Sequence, residues 1–100
     1  MKNAPKRMAL FQELFSAPSR LLVLRALIPQ PLTYRELFDA IGDGMSRPAV
    51  HAALIDLRQM GYIEDDAPEG AVRRPAKTRL IARRDLLARD FGEALAFMFS

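Results

Sequence analysis

The sequence predicts a mainly helical domain with one small β-hairpin, an α+β fold in the order α-α-α-α-β-β-α. Five segments carry apolar residues at the spacing of a helical face, and two of these segments begin with a hydroxyl residue that can cap a helix. Two short segments with β-forming residues follow the fourth helix. Since the chain has 100 residues and half of them are apolar, we expect one domain, residues 1–100, around one core.

The first two predicted helices are apolar and closely spaced. Met8, Phe11 and Leu14 lie at helical spacing, which predicts a helix from about Pro5 to Phe15. In "SAPSRLLVLRALI", Pro18 suits a first helical turn, and prolines 29 and 31 end the second helix. This helix is apolar on most sides, so we expect it at the centre of the domain. The residues expected to be buried are Leu21, Leu24, Leu27 and Ile28.

The third and fourth predicted helices are marked by caps. "TYRE" is a capping box, in which Thr33 and Glu36 satisfy each other's backbone amides. Gly42 closes this short helix, and "GDGM" forms a turn. Ser46 then caps a longer helix that ends at Gly61. Its buried face is expected to carry Val50, Leu54 and Leu57.

Two strands and a last helix complete the prediction. "YIED" and "KTRLIA" predict a hairpin whose loop contains Pro68, Gly70 and Pro75. Because Leu80 and Ile81 are adjacent, the sequence leaves open which of them faces the core. The final helix lies in "RDLLARDFGEALAFMFS".

A short capped helix, a glycine turn and a longer capped helix are typical of a helix-turn-helix, and a hairpin directly after it makes a winged helix-turn-helix. The charge of the hairpin segment, residues 64–84, also changes sign along its length. Its first half carries the acids Glu64, Asp65, Asp66 and Glu69. Its second half carries the bases Arg73, Arg74, Lys77, Arg79, Arg83 and Arg84. A basic arm beside a helix-turn-helix favours contact with a nucleic-acid backbone.

The chain resembles ArsR-type winged-helix transcription regulators and, more loosely, MarR-like ones. The resemblance rests on "APSRLLVLRALIPQPLTYRELFDAIG", "SRPAVHAALIDLRQMGYI" and "RRPAKTRLIA", in that order, within residues 15–82. It implies a DNA-binding protein in which the fourth helix is the recognition helix. The expected function is therefore sequence-specific binding of double-stranded DNA as a dimeric transcriptional regulator.

The candidate DNA-binding residues lie on the fourth helix and in the hairpin. Arg47 and His51 are expected to contact base edges or phosphates. Ser46 and the free amides of the first turn are expected to contact a phosphate. The basic arm is expected on the backbone or in the minor groove. The full predicted set is Ser46, Arg47, His51, Arg58, Arg73, Arg74, Lys77 and Arg79.

Two alternatives remain open at this point. The acids of the hairpin can pair across it with Lys77 or Arg79, which would leave little net positive field around the hairpin to attract DNA. Ala52, Ala53 and Ile55 also occupy positions where relatives often carry polar or basic residues, so few side chains remain for base reading. A protein-interaction module or a non-specific architectural DNA-binding module is the alternative function.

The terminal helices, about residues 5–15 and 85–99, are expected to form a homodimer because their apolar stripes exceed what one small core can bury. The resemblance implies the same arrangement. The expected interface residues are Met8, Phe11, Phe15, Phe91, Leu95 and Met98. The alternative is that these side chains close over the core of their own chain.

Composition excludes several classes of protein. There is no cysteine and only one histidine, so neither a disulfide nor a transition-metal site is expected. Asp85, Asp90 and Glu93 are interpreted as surface charge of the last helix rather than as metal ligands. No nucleophile with a base and no glycine-rich phosphate loop is visible, so we expect neither an enzyme nor a cofactor. No apolar segment is long enough for a signal peptide or a membrane span, and a cytoplasmic location is expected.

Overall fold

The computed structural model describes residues 3–67 and 77–100, which form a mainly helical unit with a small antiparallel sheet. The helices are α1 (Met8–Leu14), α2 (Pro18–Leu27), α3 (Tyr34–Ile41), α4 (Arg47–Met60) and α5 (Arg84–Met98). The strands are β1 (Leu32–Thr33), β2 (Ile63–Asp65) and β3 (Arg79–Ala82). A single turn of 3-10 helix, Gly42–Gly44, joins α3 to α4. The predicted α+β class is confirmed.

The predicted order of elements is wrong at one place, because strand β1 lies between α2 and α3. The sheet order is β1-β3-β2, and β1 pairs antiparallel with β3 through Leu32 with Leu80 and Thr33 with Arg79. A strand of two residues is too short to show a period in the sequence. The predicted hairpin is present as the antiparallel pair of β2 and β3, and its loop with Pro68, Gly70 and Pro75 lies outside the described residues.

The predicted helix caps at Thr33 and Ser46 are confirmed, whereas Gly42 ends α3 with φ of 62° and ψ of −138°, outside the left-handed helical conformation. The Glu36 amide donates to Thr33 Oγ1 at 3.2 Å, and the Thr33 amide donates to Glu36 Oε1 at 2.9 Å. These bonds from Thr33 hold the pKa of Glu36 below its ordinary value. The Ala49 amide donates to Ser46 Oγ at 3.3 Å at the start of α4. Gly61 ends α4 in the left-handed conformation, with φ of 88°.

The core lies around α2, which packs against α3, α4 and β3. Its fully buried side chains come from α2, α3, α4, β3 and the residue before β2: Val23, Leu27, Leu37, Val50, Leu57, Leu80 and Tyr62. The predicted buried face of α4 is confirmed. The predicted face of α2 is partly wrong, since Leu21 and Ile28 are 38% and 39% exposed while Val23 is buried. A helix that is apolar on most sides gives no unique stripe, so packing against α3 and α4 selects the buried face.

Strand β3 presents alternate residues to the core. Leu80 and Ala82 are buried, and Ile81 between them is half-buried. This answers the question that the adjacent apolar residues left open. Within the described part of the chain, no helix is both long and apolar enough to cross a membrane.

Candidate nucleic-acid interface

Helix α4 has a solvent-facing side opposite its buried one, called here the outer face of α4. Val50, Leu54 and Leu57 point into the core, whereas the outer face consists of Arg47, Pro48, His51, Ala52, Ile55 and Gln59. The face begins at the N-terminal end of α4, where Ser46 caps the helix. Free first-turn amides and the positive end of the helix dipole favour an anion at this end.

Helix α3 supports the two polar side chains at the start of the outer face. The ring of His51 lies 5.7 Å from that of Tyr34 and 5.6 Å from that of Phe38. The Arg47 guanidinium lies 4.9 Å from the centre of the Phe38 ring, within reach of a cation–π interaction. Tyr34 and Phe38 share one side of α3 because they are four residues apart. Their rings therefore hold Arg47 and His51 in place while leaving both exposed.

Two of the predicted DNA-binding arginines are paired with acidic side chains of the same chain. Arg58 pairs with Asp65 at 3.3 Å, and Arg79 Nε donates to Asp66 Oδ2 at 3.0 Å. The Arg79 amide also donates to Asp66 Oδ1 at 2.7 Å. These bonds from the backbone and side chain of Arg79 lower the pKa of Asp66. The alternative that the hairpin acids pair across it is confirmed for Arg79, so less positive charge faces outward than the sequence suggested.

Other cations of this region are exposed. Within residues 3–67 and 77–100, no ion pair engages Arg35, Arg47 or Lys77. Arg35 was missed in the sequence, although its position two residues after the capping residue Thr33 places it at the exposed start of α3. A groove beside it is lined by Tyr34, Arg35, Phe38, Asp39 and Arg47. Arg73 and Arg74 lie outside the described residues.

Asp90 was interpreted as surface charge, and this is wrong, since it is only 3% exposed. The Tyr62 hydroxyl donates to Asp90 Oδ2 at 2.6 Å, and Arg7 Nε donates to the same oxygen at 2.9 Å. Arg7 also donates to the Met60 carbonyl oxygen at 2.6 Å. The cluster ties the segment before α1 to the end of α4 and to α5. Sequence spacing gave no signal for it because its members are far apart in the chain.

The buried tyrosine makes stability depend on pH in the alkaline range. Burial, and then the hydrogen bond to Asp90, raise the pKa of Tyr62 from 10.0 to about 12. The folded protein therefore holds this proton more tightly than the unfolded chain. The resulting stabilisation is complete below pH 10 and is lost between pH 10 and about 12, by up to roughly 1.4 kcal/mol per pH unit.

We expect urea unfolding of the natural protein to show a steeper loss of stability above pH 10 than unfolding of Tyr62→Phe, which has no phenol to ionise. Comparison of the two proteins cancels the titration of lysines, which both share. Identical pH slopes for the two proteins would contradict the raised pKa.

The predicted dimer residues divide into two groups. Phe11 is 8% exposed and belongs to the core of its own chain, where its ring lies 5.3 Å from Phe15 and 6.0 Å from Phe91. Met8 is partly buried against the same core. Phe15, Phe91 and Met98 are 54%, 53% and 64% exposed, and Leu95 is half-buried. The exposed side chains, called here the terminal apolar patch, are Phe15, Phe91 and Met98.

No group of three or more histidine or acidic side chains among the described residues is arranged to hold a metal ion. Comparisons of this chain with protein families, with curated proteins and with solved structures found no match. The functional assignment therefore rests on the chemistry of the chain's own surface.

Proposed function

We propose that this chain is a winged helix-turn-helix domain that binds double-stranded DNA as a dimeric transcriptional regulator. Helices α3 and α4 with the turn between them form the helix-turn-helix, and the β2–β3 hairpin forms the wing. The observation that carries the proposal is the start of the outer face of α4. There Arg47 and His51 are exposed, supported from behind by the rings of α3, and beside a capped helix N-terminus.

Helix α4 suits the major groove, which is about 12 Å wide and admits one helix. Arg47 in its first turn can make two hydrogen bonds to guanine O6 and N7, and His51 one turn later can donate to a base edge or a phosphate. The Phe38 ring limits the conformations of Arg47 before DNA is bound, which lowers the entropy lost on binding.

The phosphate contacts are assigned to two cations for which the described residues offer no acidic partner and to two bases of the predicted arm. These are Arg35 and Lys77 of the described surface, together with Arg73 and Arg74 of the arm. Four such contacts give a slope of log K against log salt concentration of roughly −3.6, because each neutralised phosphate contributes about −0.9. Arg58 and Arg79 are expected to add little, since each already has an acidic partner.

The terminal apolar patch supports the dimer. Phe91 and Met98 lie seven residues apart on one side of α5, and Phe15 reaches the same region through its contact with Phe11. A two-fold axis through this patch would make the interface self-complementary. The two α4 helices could then enter successive major grooves about 34 Å apart, and a near-palindromic operator is the expected target.

A second function is favoured by one observation, which is the apolar character of Ala52 and Ile55 on the outer face of α4. Ile55 is 58% exposed. An exposed apolar side chain of this kind also suits contact with a protein, and the basic arm would then meet an acidic partner or a nucleic-acid backbone without sequence preference.

Selection from a pool of random-sequence duplexes at moderate salt separates these functions. Enrichment of a near-palindrome with half-sites about one turn apart is the expected result for the regulator. Retention without enrichment, which fades as salt rises, would identify a backbone-binding module. Absence of retention would direct the search to protein partners.

Arg47→Ala is expected to weaken binding to the selected site by about 1–3 kcal/mol and to relax the preference at one base pair. The effect should leave the salt slope nearly unchanged, because a base contact rather than a phosphate contact is lost. Arg89→Ala is the matched control, since the Arg89 side chain is 71% exposed on α5 and pairs with Glu93 of the same helix. Fluorescence anisotropy on the selected duplex and its single-base variants measures both effects. Equal loss on every duplex would assign Arg47 to a phosphate instead.

A further inference from the structure

The middle of the outer face of α4 is apolar. After Arg47 and His51, the next exposed positions along the helix are Ala52 and Ile55, and the polar side chain of Gln59 follows one turn later. Ile55 is 58% exposed and borders a groove with Tyr34, His51 and Leu54. Together with Ala52 it forms an apolar surface between the polar side chains at the start of the helix and Gln59.

The chemistry of the major groove offers one apolar partner. Each base pair presents hydrogen-bond donors and acceptors there, and only thymine adds a methyl group, at C5. Alanine and isoleucine carry no hydrogen-bonding group, so they can distinguish bases in the groove only by contact with that methyl group. Loss of water from both apolar surfaces favours thymine over cytosine at the contacted position.

The charges around Ala52 and Ile55 favour DNA over a protein as the partner. The outer face of α4 carries Arg47 and His51 and no acidic residue. The nearest acid on the same helix, Asp56, lies off this face and pairs with Arg20 at 3.0 Å. An apolar centre with an arginine and a hydrogen-bonding histidine at its end matches thymine methyl groups beside phosphates.

We propose, on the basis of the function proposed above, that Ala52 and Ile55 recognise thymine through its 5-methyl group. The operator half-site then combines a guanine contacted by Arg47 with a thymine contacted by Ile55. Eight helical residues span about 12 Å. Base pairs are stacked about 3.4 Å apart, so the two bases lie within about four base pairs of each other.

The test is a selection carried out twice, with duplex pools made from thymidine and from deoxyuridine, which lacks the methyl group. The thymidine pool should yield a motif with guanine and thymine at this separation. When the selected duplex is remade with uracil at that thymine, affinity should fall about fourfold, the effect of burying one methyl group. Ile55→Ala should reduce the difference in affinity between the thymine and uracil duplexes, because the shorter side chain withdraws most of its apolar surface from the methyl group.

Leu22→Ala is the matched control, because Leu22 is 40% exposed on α2 and belongs to no predicted DNA contact. This variant should keep the fourfold difference between thymine and uracil. An enriched motif that binds equally well with uracil would overturn the thymine inference and leave the regulator intact. Retention of DNA without any enriched motif would also overturn it. Failure to retain either pool would overturn both proposals and would favour a protein as the partner of the outer face.

Discussion

Asp90→Ala is expected to lower the free energy of unfolding by about 3 kcal/mol, because the carboxylate accepts hydrogen bonds from both Tyr62 and Arg7 in a buried position. Its loss leaves the Tyr62 hydroxyl without an acceptor inside the protein. It also removes the acidic partner of the Arg7 guanidinium, which keeps its bond to the Met60 carbonyl oxygen. The side chain of Arg7 is 31% exposed, so water can hydrate it in part once Asp90 is gone. The expected loss in the free energy of unfolding is therefore at the lower end of the range for breaking a buried ion pair.

Urea unfolding followed by circular dichroism measures this change. Asp85→Ala is the matched control on the same helix, since Asp85 is 74% exposed and its pair with Arg83 is a surface pair worth at most about 1 kcal/mol. Tyr62→Phe should cost about 1 kcal/mol, because it removes one hydrogen bond and leaves the ion pair in place. Equal effects of Asp90→Ala and Asp85→Ala would show that the cluster does not stabilise the fold.

Phe91→Asp is expected to produce a folded monomer that binds a two-half-site operator at least about 100-fold more weakly than the natural protein. Phe91 is 53% exposed in the single chain, so a carboxylate there meets water and the fold tolerates it. In the proposed dimer the same carboxylate would be buried without a partner. Loss of the dimer removes the gain from binding two half-sites at once, which is commonly 10²–10⁴-fold, whereas the affinity for one half-site is unchanged.

Light scattering gives the mass, and anisotropy with one and two half-sites gives the affinities. Leu22→Asp places the same charge on another exposed leucine, 40% exposed on α2, and should remain dimeric. If Leu22→Asp dissociates the protein and Phe91→Asp does not, the interface lies on α2 instead of α5. An unchanged mass for Phe91→Asp would remove the terminal apolar patch from the interface.

The features that the sequence predicted well are local ones. The capping box at Thr33, the cap at Ser46 and the end of α4 at Gly61 depend on residues within one turn of each other. The buried face of α4 was also predicted correctly, since its apolar residues form a single stripe along the helix. Arg47 and His51 were placed on the exposed side by the same periodicity.

The features that the sequence did not predict depend on residues far apart in the chain. Strand β1 exists only because β3 returns beside it, and Asp90 is buried only because Arg7 and Tyr62 meet it. The pairing of Arg58 with Asp65 likewise brings α4 and β2 together. The charge pattern of a sequence shows which residues are basic but not which acids they pair with. The sequence therefore overestimated the number of basic side chains available to contact DNA.

Thr33 occupies a position that serves two elements. It is the strand partner of Arg79, and its hydroxyl caps α3. A strand favours a β-branched side chain, and an N-cap favours a short side chain with an oxygen. Valine would meet only the first requirement and serine only the second, whereas threonine is the β-branched amino acid that carries a hydroxyl. The choice of residue at position 33 is therefore restricted from both sides, so the end of the sheet and the start of the helix pair cannot change independently of each other.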